Sequence, residues 1–209
     1  YLLVYASGKS KLTDTKYSMR MRSYGSIVPF NNRDAYRYRY RQISGDFHAE
    51  LNVLSIRNEG TWSLCGIHIR SDLTDTTNFF GMFLGSKEKD GFFNFWRDTI
   101  LHIPKYKALY GSINLPYAKL TLTRKNDSLF CSYIDREGKE GYKESYHNFL
   151  PNEILIGVSV SGFNINQFSE FIIDSFQINN VYNDIIKLDV YEVNTEEEGI
   201  DSYYKEIHS

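Results

Sequence analysis

The chain has 209 residues, which is enough for one large domain that buries its own core. Aromatic residues make up 16% of it, and its formal net charge of −2 excludes a generally basic, nucleic-acid-binding surface. The apolar runs are too short to span a membrane, and the two cysteines, Cys65 and Cys131, lack the spacing of a disulfide framework or a zinc finger.

Alternating side chains predict the first two strands. Methionines alternate with arginines in residues 17–23, and tyrosines alternate with arginines in residues 36–41. A period of two places alternate side chains on opposite faces of a strand, whereas a helix would scatter them. The arginines are Arg20, Arg22, Arg37, Arg39 and Arg41.

Further strands follow at short intervals. The segments between them are rich in Gly, Asn and Asp, which tolerate the backbone angles of tight turns, and no segment has a sustained helical period. Many short strands with regular turns predict an antiparallel sandwich or barrel. The strands are predicted at Phe47–Ile56, Thr61–Ser71, Asn78–Gly85, Gly91–Asp98, Ala118–Lys125, Ser128–Asp135, Ile154–Ser161 and Phe168–Ile178.

Charge is unevenly distributed along the chain. Residues 1–70 have eleven Lys/Arg against five Asp/Glu, and residues 184–209 have two against eight. We therefore predict a β-sandwich domain over residues 1–183, followed by an acidic C-terminal strand or tail over residues 184–209. Within this tail, Ile185–Tyr191 is a candidate final strand.

Several short sequence segments occur in an order that is typical of a known family. They are Ser44–Leu51, Cys65–Arg70, Phe92–Arg97, Leu115–Arg124 followed by Asp127–Gly138, Leu155–Ser161 and Glu170–Phe176. In this order they resemble the concanavalin A-like lectin/glucanase jelly rolls, in particular the lectin-like modules appended to bacterial glycoside hydrolases and surface proteins. The likeness spans residues 15–178. It departs from the family at Tyr142, where Trp is common, and at Ser175, where Asn is usual.

The resemblance implies an all-β, two-sheet jelly roll located outside the cell, in the periplasm or at the cell surface. It makes a structural calcium ion a candidate, with Asp174 as the nearest ligand and Asp72 and Asp75 as weaker ones; no other cofactor is expected. The fold hosts enzymes, lectins and interaction modules alike, so function depends on the site.

Glycoside hydrolysis requires two carboxyl groups that flank the scissile bond. In the catalytic jelly rolls they lie on one strand as ExDxE or ExDxxE. Here the pattern begins only at Glu88 and Asp90, and the third position falls on Phe92 or Phe93. The sequence also lacks a nucleophile elbow and an HExxH motif. We therefore expect a binding protein and no catalytic residues.

Carbohydrate binding is the function that the aromatic residues favour. Sugar sites on β-sandwiches use exposed rings with polar groups beside them. Residues 91–98 carry bulky side chains on both faces, and we predict that Asn94 and Trp96 are exposed while Phe93 and Phe95 are buried. The alternative is that Trp96 caps the core. The predicted ligand-binding residues are His68, Arg70, Asn94, Trp96, Tyr106 and Tyr110.

The last two of these residues lie in Thr99–Pro116, a segment without clear strand character. Long loops in compact domains are often functional. We predict a loop that either overhangs the groove or packs on the sheet edge.

The arginines of the first two strands would form a basic field if those strands pair. Guanidinium groups that face water can bind carboxylates or sulfates through two hydrogen bonds. The candidate partners are an acidic polysaccharide, an acidic protein segment and the chain's own Glu196–Glu198. The alternative is a solvated face that pairs with acidic neighbours on adjacent strands.

Three functions therefore stay open. The first is a non-catalytic glycan-binding module of a bacterial surface or secreted protein. The second is a protein-interaction or assembly domain on the same fold, and the third is a glycan-active enzyme with an unfamiliar carboxylate arrangement. A nucleic-acid partner is not expected.

Overall fold

The computed structural model describes residues 13–15, 18–23, 36–58, 63–74, 76–85, 91–100, 102–110, 118–135, 137–162, 169–179, 181–183 and 189–193. These residues contain no helix, and so none long and apolar enough to cross a membrane. The strands are β1 Thr13–Thr15, β2 Ser18–Ser23, β3 Tyr36–Ser44, β4 Phe47–Asn58, β5 Leu64–Arg70, β6 Phe79–Gly85, β7 Gly91–Arg97, β8 Lys105–Tyr110, β9 Ala118–Lys125, β10 Ser128–Ile134, β11 Glu140–His147, β12 Glu153–Ser161, β13 Ser169–Ile178, β14 Val181–Asn183 and β15 Asp189–Val193.

The strands form two antiparallel sheets that pack against each other. Sheet I has the order β1-β2-β13-β4-β9-β10-β11, with β14 also paired to β13, and sheet II has the order β15-β3-β12-β5-β6-β7-β8. All pairs of neighbouring strands are antiparallel. The predicted fold class, an all-β two-sheet sandwich, is confirmed.

The main core fills the space between the two sheets. On β9, Leu120 and Leu122 point into it and alternate with half-buried threonines. Sheet II contributes Ile67 and Ile69 from β5 and Phe80 from β6. Burial of this apolar surface is the main force that holds the sheets together.

The outer face of sheet II, which points away from sheet I, is also buried. It carries a second apolar cluster that includes Tyr36, Tyr38, Phe79, Phe83 and Phe95. Both β5 and β6 are therefore buried at all seven positions. Hydrophobic alternation cannot orient such strands, because neither face turns to water.

Glycines allow close approach on this outer face. A side chain at Gly157 would run into the backbone carbonyl of Arg39, and one at Gly81 would run into the Phe83 ring. Tyr38 reaches across β12 from β3, because its hydroxyl donates to the carbonyl oxygens of His68 and Leu155 at 2.9 and 3.0 Å.

All ten strands predicted from alternation and turn signals are present, but four strands were missed: the three-residue β1 and β14, and the longer β8 and β11. Residues 105–110 form β8, which pairs with β7, so the prediction of one long loop over Thr99–Pro116 is wrong. Residues 140–147 form β11 at the edge of sheet I. Both strands are rich in charged residues, which obscures their period.

The acidic C-terminal segment contributes an edge strand to sheet II. Asp189–Val193 pairs with β3, and Glu192 lies opposite Arg37. Part of the segment 184–209 therefore belongs to the sandwich. Glu196–Glu198 lie outside the described residues.

The prediction of a water-facing basic field is wrong for Arg37 and Arg39 of β3. Strands β2 and β3 lie in different sheets and do not pair. Arg37 and Arg39 are only 6% and 3% exposed. They point between the sheets, where the Arg39 guanidinium donates to the sulfur of Met19 at 2.8 Å. The tyrosines of β3 take the outer face instead.

The arginines of β2 have a partner within the chain. Arg22 forms an ion pair with Glu170 on β13, and Arg20 lies 3.8 Å from the same carboxylate. Glu170 is buried, and the two arginines are cations beside its carboxylate. Arg41 is exposed at the far end of β3. The five arginines are thus divided among three environments and do not form one anion-binding patch.

Candidate functional site

Two edge strands, β8 of sheet II and β11 of sheet I, face each other at one side of the sandwich. Lys107 on β8 forms an ion pair with Glu144 on β11. Behind this pair lie aromatic and amide side chains from β7 and β11. We call this group the edge cluster; it consists of Asn94, Trp96, Lys107, Tyr142, Glu144 and Tyr146.

A chain of hydrogen bonds connects the edge cluster from its interior to its rim. The Asn94 amide donates to the hydroxyls of Tyr142 and Tyr146 at 3.1 and 2.8 Å. The two hydroxyls lie 3.1 Å apart, and Tyr146 donates to Glu144 at 2.8 Å. Lys107 closes the chain at the surface by donating to the other oxygen of Glu144.

Asn94 is fully buried, and its carbonyl oxygen has no hydrogen-bond partner among the described residues. The amide is therefore held by its donor side alone. An unpaired buried acceptor has an energetic cost, and such groups often lie at functional positions.

The aromatic side chains of the edge cluster are half-buried and contact one another. The Trp96 and Tyr146 rings lie 5.4 Å apart at an angle of 54°. Tyr146 also packs on Phe80, and Tyr142 packs on Phe92 at 4.6 Å. These contacts fix the rings against the main core, so their orientations are set before any ligand arrives.

Burial keeps two phenols and one thiol of this region protonated. It raises the pKa of Tyr142 and, more strongly, that of Tyr146. It also raises the pKa of the neighbouring Cys131 thiol to about 12. At neutral pH the phenols are therefore neutral hydrogen-bonding groups, and the thiol is not a nucleophile.

A second notable group surrounds His68 on the outer face of sheet II. Its ring lies 4.9 Å from Tyr36 and Phe79, 5.2 Å from Tyr38 and 5.7 Å from Phe83. Neither ring nitrogen has a hydrogen-bond partner among the described residues. Burial, and secondarily the charge of Arg97, holds the pKa of His68 well below its usual value.

The predicted ligand-binding residues do not form one site. His68, Arg70 and Tyr106 lie on the outer face of sheet II, whereas Asn94 and Trp96 point toward sheet I. The prediction that Asn94 is exposed is wrong, and Trp96 is only half-exposed. Phe93 and Phe95 are buried as predicted, but on the outer face.

Arg70 has a structural role that excludes it from an open site. It is fully buried, and its guanidinium donates to the backbone carbonyls of Asp72, at 3.0 Å, and Thr74. Tyr106 is exposed and stacks on Phe95 at 5.8 Å. The backbone of Tyr110 pairs with Gly91, but its side chain lies outside the described part of the chain.

Three aspartates are the candidate calcium ligands. The described residues contain no group of three His, Cys, Asp or Glu side chains that could hold a metal ion. Calcium also binds through carbonyl and water oxygens, so the structural calcium ion stays a prediction. Asp174 is exposed on β13. Asp72 accepts hydrogen bonds from the backbone and hydroxyl of Thr74 at 2.7 and 2.6 Å. Asp75 lies outside the described residues.

Four members of the edge cluster were missed by sequence reasoning: Lys107, Tyr142, Glu144 and Tyr146. The signal was present in Tyr142-Lys-Glu-Ser-Tyr146, where every second residue points inward. Because a glutamate occupies one inward position, apolar and polar residues do not alternate, and the period of two is easily overlooked.

Comparison with known proteins identifies relatives by structure only. No family model matches the chain, and no curated protein matches it in sequence. A protein of unknown function from Saccharomyces cerevisiae matches 86% of this chain over 96% of its own length, with a TM-score of 0.68 and 10% identity.

Two further similar structures are a GH43 protein and a legume lectin-like domain. A GH43 protein from Bacillus licheniformis has a TM-score of 0.58 and 9% identity over 78% of this chain, but only 32% of the larger protein is covered. A legume lectin-like domain from Entamoeba histolytica has a TM-score of 0.56 and 12% identity, with coverage of 83% and 88%. Others are legume lectins and a carbohydrate-binding module. The chain therefore has the concanavalin A-like jelly-roll fold, which lectins and carbohydrate-binding modules share. This is the fold that the resemblance of its sequence segments implies.

Proposed function

We propose that this protein binds glycan, without chemically altering it, at the edge cluster. The observation that carries the proposal is the buried Asn94 amide, which anchors the half-exposed rings of Tyr142 and Tyr146 beside Trp96. Pre-oriented aromatic rings with a few converging polar groups are typical of ligand sites.

The chemistry of the edge cluster matches that of a sugar. A half-exposed indole or phenol ring can pack against the C–H face of a pyranose. The Lys107 ammonium and the Glu144 carboxylate are 53% and 27% exposed, so they can exchange their mutual ion pair for hydrogen bonds to hydroxyls. Asn94 acts as a positioning residue, because it orients the phenols and is itself out of reach.

The carboxylates near this edge argue against hydrolysis. Glu144 is ion-paired to Lys107, and Asp98 accepts from Lys105 at 2.6 Å. The hydrogen bond from Lys105 lowers the pKa of Asp98, whereas a general acid needs a raised one. Glu144 and Asp98 are therefore suited to binding more than to proton transfer.

Glycan-array binding followed by titration tests the proposal. We expect Trp96→Ala to weaken binding by at least about tenfold, because the stacking ring is lost. Phe130→Ala is the matched control, since Phe130 is an exposed aromatic residue on the outer face of sheet I. Equal binding by the wild type and Trp96→Ala would place the site elsewhere.

Sugar release tests the second part of the proposal. Incubation of purified protein with the glycans it binds should release no more reducing sugar than a buffer blank. Release that is abolished by Glu144→Gln would instead make the protein a glycoside hydrolase.

We further propose that the protein acts outside the cytoplasm, in the periplasm, in the medium or at a bacterial cell surface. Extracellular glycans are met there, and the sequence resembles lectin-like modules of bacterial surface proteins, which supports this location. Fractionation of cells that produce the natural full-length protein tests this location, and recovery in the cytoplasm alone would contradict it.

A further inference from the structure

Two isoleucines are strongly exposed in the segment that connects β7 and β8. Ile100 and Ile103 are each 57% exposed. Single exposed apolar residues are common on protein surfaces. Here, however, two large aliphatic side chains occur within four residues, on the connection that follows Trp96.

The connection is held in place by polar contacts. Arg97, which is buried, donates to the carbonyl of His102 at 2.8 Å. The His102 amide donates to the carbonyl of Thr99 at 3.2 Å, and Lys105 forms an ion pair with Asp98. The backbone that presents the isoleucines is therefore fixed at three points, and their exposure is a property of the folded hairpin.

This hairpin is continuous with the edge cluster. Trp96 and Lys105 are directly paired across β7 and β8, and Asn94 is paired with Lys107 two residues further along. Along the two strands, the order from the hairpin end is thus the connection with the two isoleucines, then Trp96 opposite Lys105, then Asn94 opposite Lys107.

We propose that the ligand is an amphiphilic glycoside, whose sugar contacts the edge cluster and whose aliphatic group lies across Ile100 and Ile103. The inference rests on the proposed function. A protein partner is disfavoured, because a stable interface buries about 800 Å² per partner, which two isoleucines do not supply. The adjacent charges pair with each other, Lys105 with Asp98 and Lys107 with Glu144, so the surroundings favour an uncharged ligand.

Paired glycosides with short and long alkyl groups test the inference. The probes are methyl and octyl glycosides of glucose, galactose and mannose, used below the concentration at which the octyl compounds form micelles. Trp62→Phe leaves Trp96 as the sole tryptophan, so its fluorescence reports binding at the edge cluster. We expect the octyl compound to bind at least about tenfold more tightly than its methyl partner.

The double substitution Ile100→Ser and Ile103→Ser should remove the octyl advantage and leave methyl glycoside binding unchanged. Phe130→Ser is the matched control and should retain the advantage. Equal binding of methyl and octyl glycosides, or an octyl advantage that survives the double substitution, would overturn the inference while the proposed function stands. If no glycoside of either length binds at Trp96, the proposed function fails and the inference fails with it.

Discussion

Asn94 on β7 and Tyr146 on β11 are joined across the two sheets by a hydrogen bond of 2.8 Å from the amide nitrogen to the phenol oxygen. The bond lies at the side of the sandwich, where the apolar core gives way to polar groups. It links the proposed binding surface to the packing of the sheets, so substitutions here affect both binding and stability.

Asn94→Ala should destabilise the protein by about 1–3 kcal/mol, because two phenols lose a buried donor. Urea unfolding followed by circular dichroism measures the change. Ser145→Ala, an exposed position on β11, is the control and should change stability by less than about 0.5 kcal/mol. An Asn94→Ala protein as stable as the wild type would contradict the role assigned to the amide.

Arg124 fastens the turn between β3 and β4 to the start of β12. It is buried and donates to the carbonyls of Gly45, of Pro151 at 2.9 Å and of Asn152 at 2.6 Å. Arg124→Ala should cost about 2–4 kcal/mol, since several buried carbonyl groups lose a charged donor.

Thermal unfolding provides the measurement for Arg124. The adjacent Lys125→Ala is a suitable control, because Lys125 is exposed at the end of β9. Similar melting temperatures for the two variants would show that the carbonyl groups find other donors.

His68 should make the protein sensitive to acid. Its pKa is lowered in the folded state, whereas an unfolded histidine titrates near about 6.5. Below that pH the unfolded chain binds a proton that the folded chain does not. The free energy of unfolding therefore falls with decreasing pH, by up to about 1.4 kcal/mol per unit.

The groups that face His68 determine how this prediction is tested. They are Tyr36 and Tyr38 on β3, Arg70 on β5 itself and Arg97 on β7. Urea unfolding at about pH 7.5, 6.5 and 5.5 should show a smaller pH slope for His68→Phe than for the wild type. His102→Gln, at an exposed position, should keep the full slope. Identical slopes for all three proteins would exclude His68 as the source.

Gly157→Ala should destabilise sheet II by at least about 2 kcal/mol, because the added methyl group would overlap the backbone carbonyl of Arg39. Hydrogen exchange of the β3 and β12 amides measures the loss of pairing. Ser44→Ala, at the exposed end of β3, is the matched control. Unchanged protection in Gly157→Ala would mean that the two strands can separate slightly at no cost.

The sequence predicted the positions of most strands, but it was less informative about which face of a strand packs against the other sheet. On β9 each buried residue is followed by one that is half-buried or exposed, so alternation orients the strand correctly. On β7 almost every position is buried, and the choice between Asn94 with Trp96 and Phe93 with Phe95 could not be made from polarity. Side chains on both faces of sheet II are buried. The residue pattern of a single strand therefore does not indicate which of its faces packs against sheet I.

The site was harder to predict than the fold, for a related reason. Asn94 and Trp96 were recognised as unusual, but their partners lie on β11, an edge strand whose inward face carries Glu144 between two tyrosines. Such a pattern has no distinctive period. Arg37 and Arg39 pose the opposite problem. Long charged side chains on an alternating strand normally indicate solvent, yet both are buried here, and Arg39 lies beside Met19.

The pairing of Asp189–Val193 with β3 has a practical consequence for shortened versions of this protein. Truncation after Asn183 would strip the neighbour from one side of Tyr36–Tyr40 and leave a row of open amide and carbonyl groups. Unpaired amide and carbonyl groups at a sheet edge can pair with a strand from another molecule, and the neighbouring tyrosines would favour this aggregation. The acidic strand Asp189–Val193 thus protects the edge of sheet II from aggregation, and a shortened protein should extend at least to Val193.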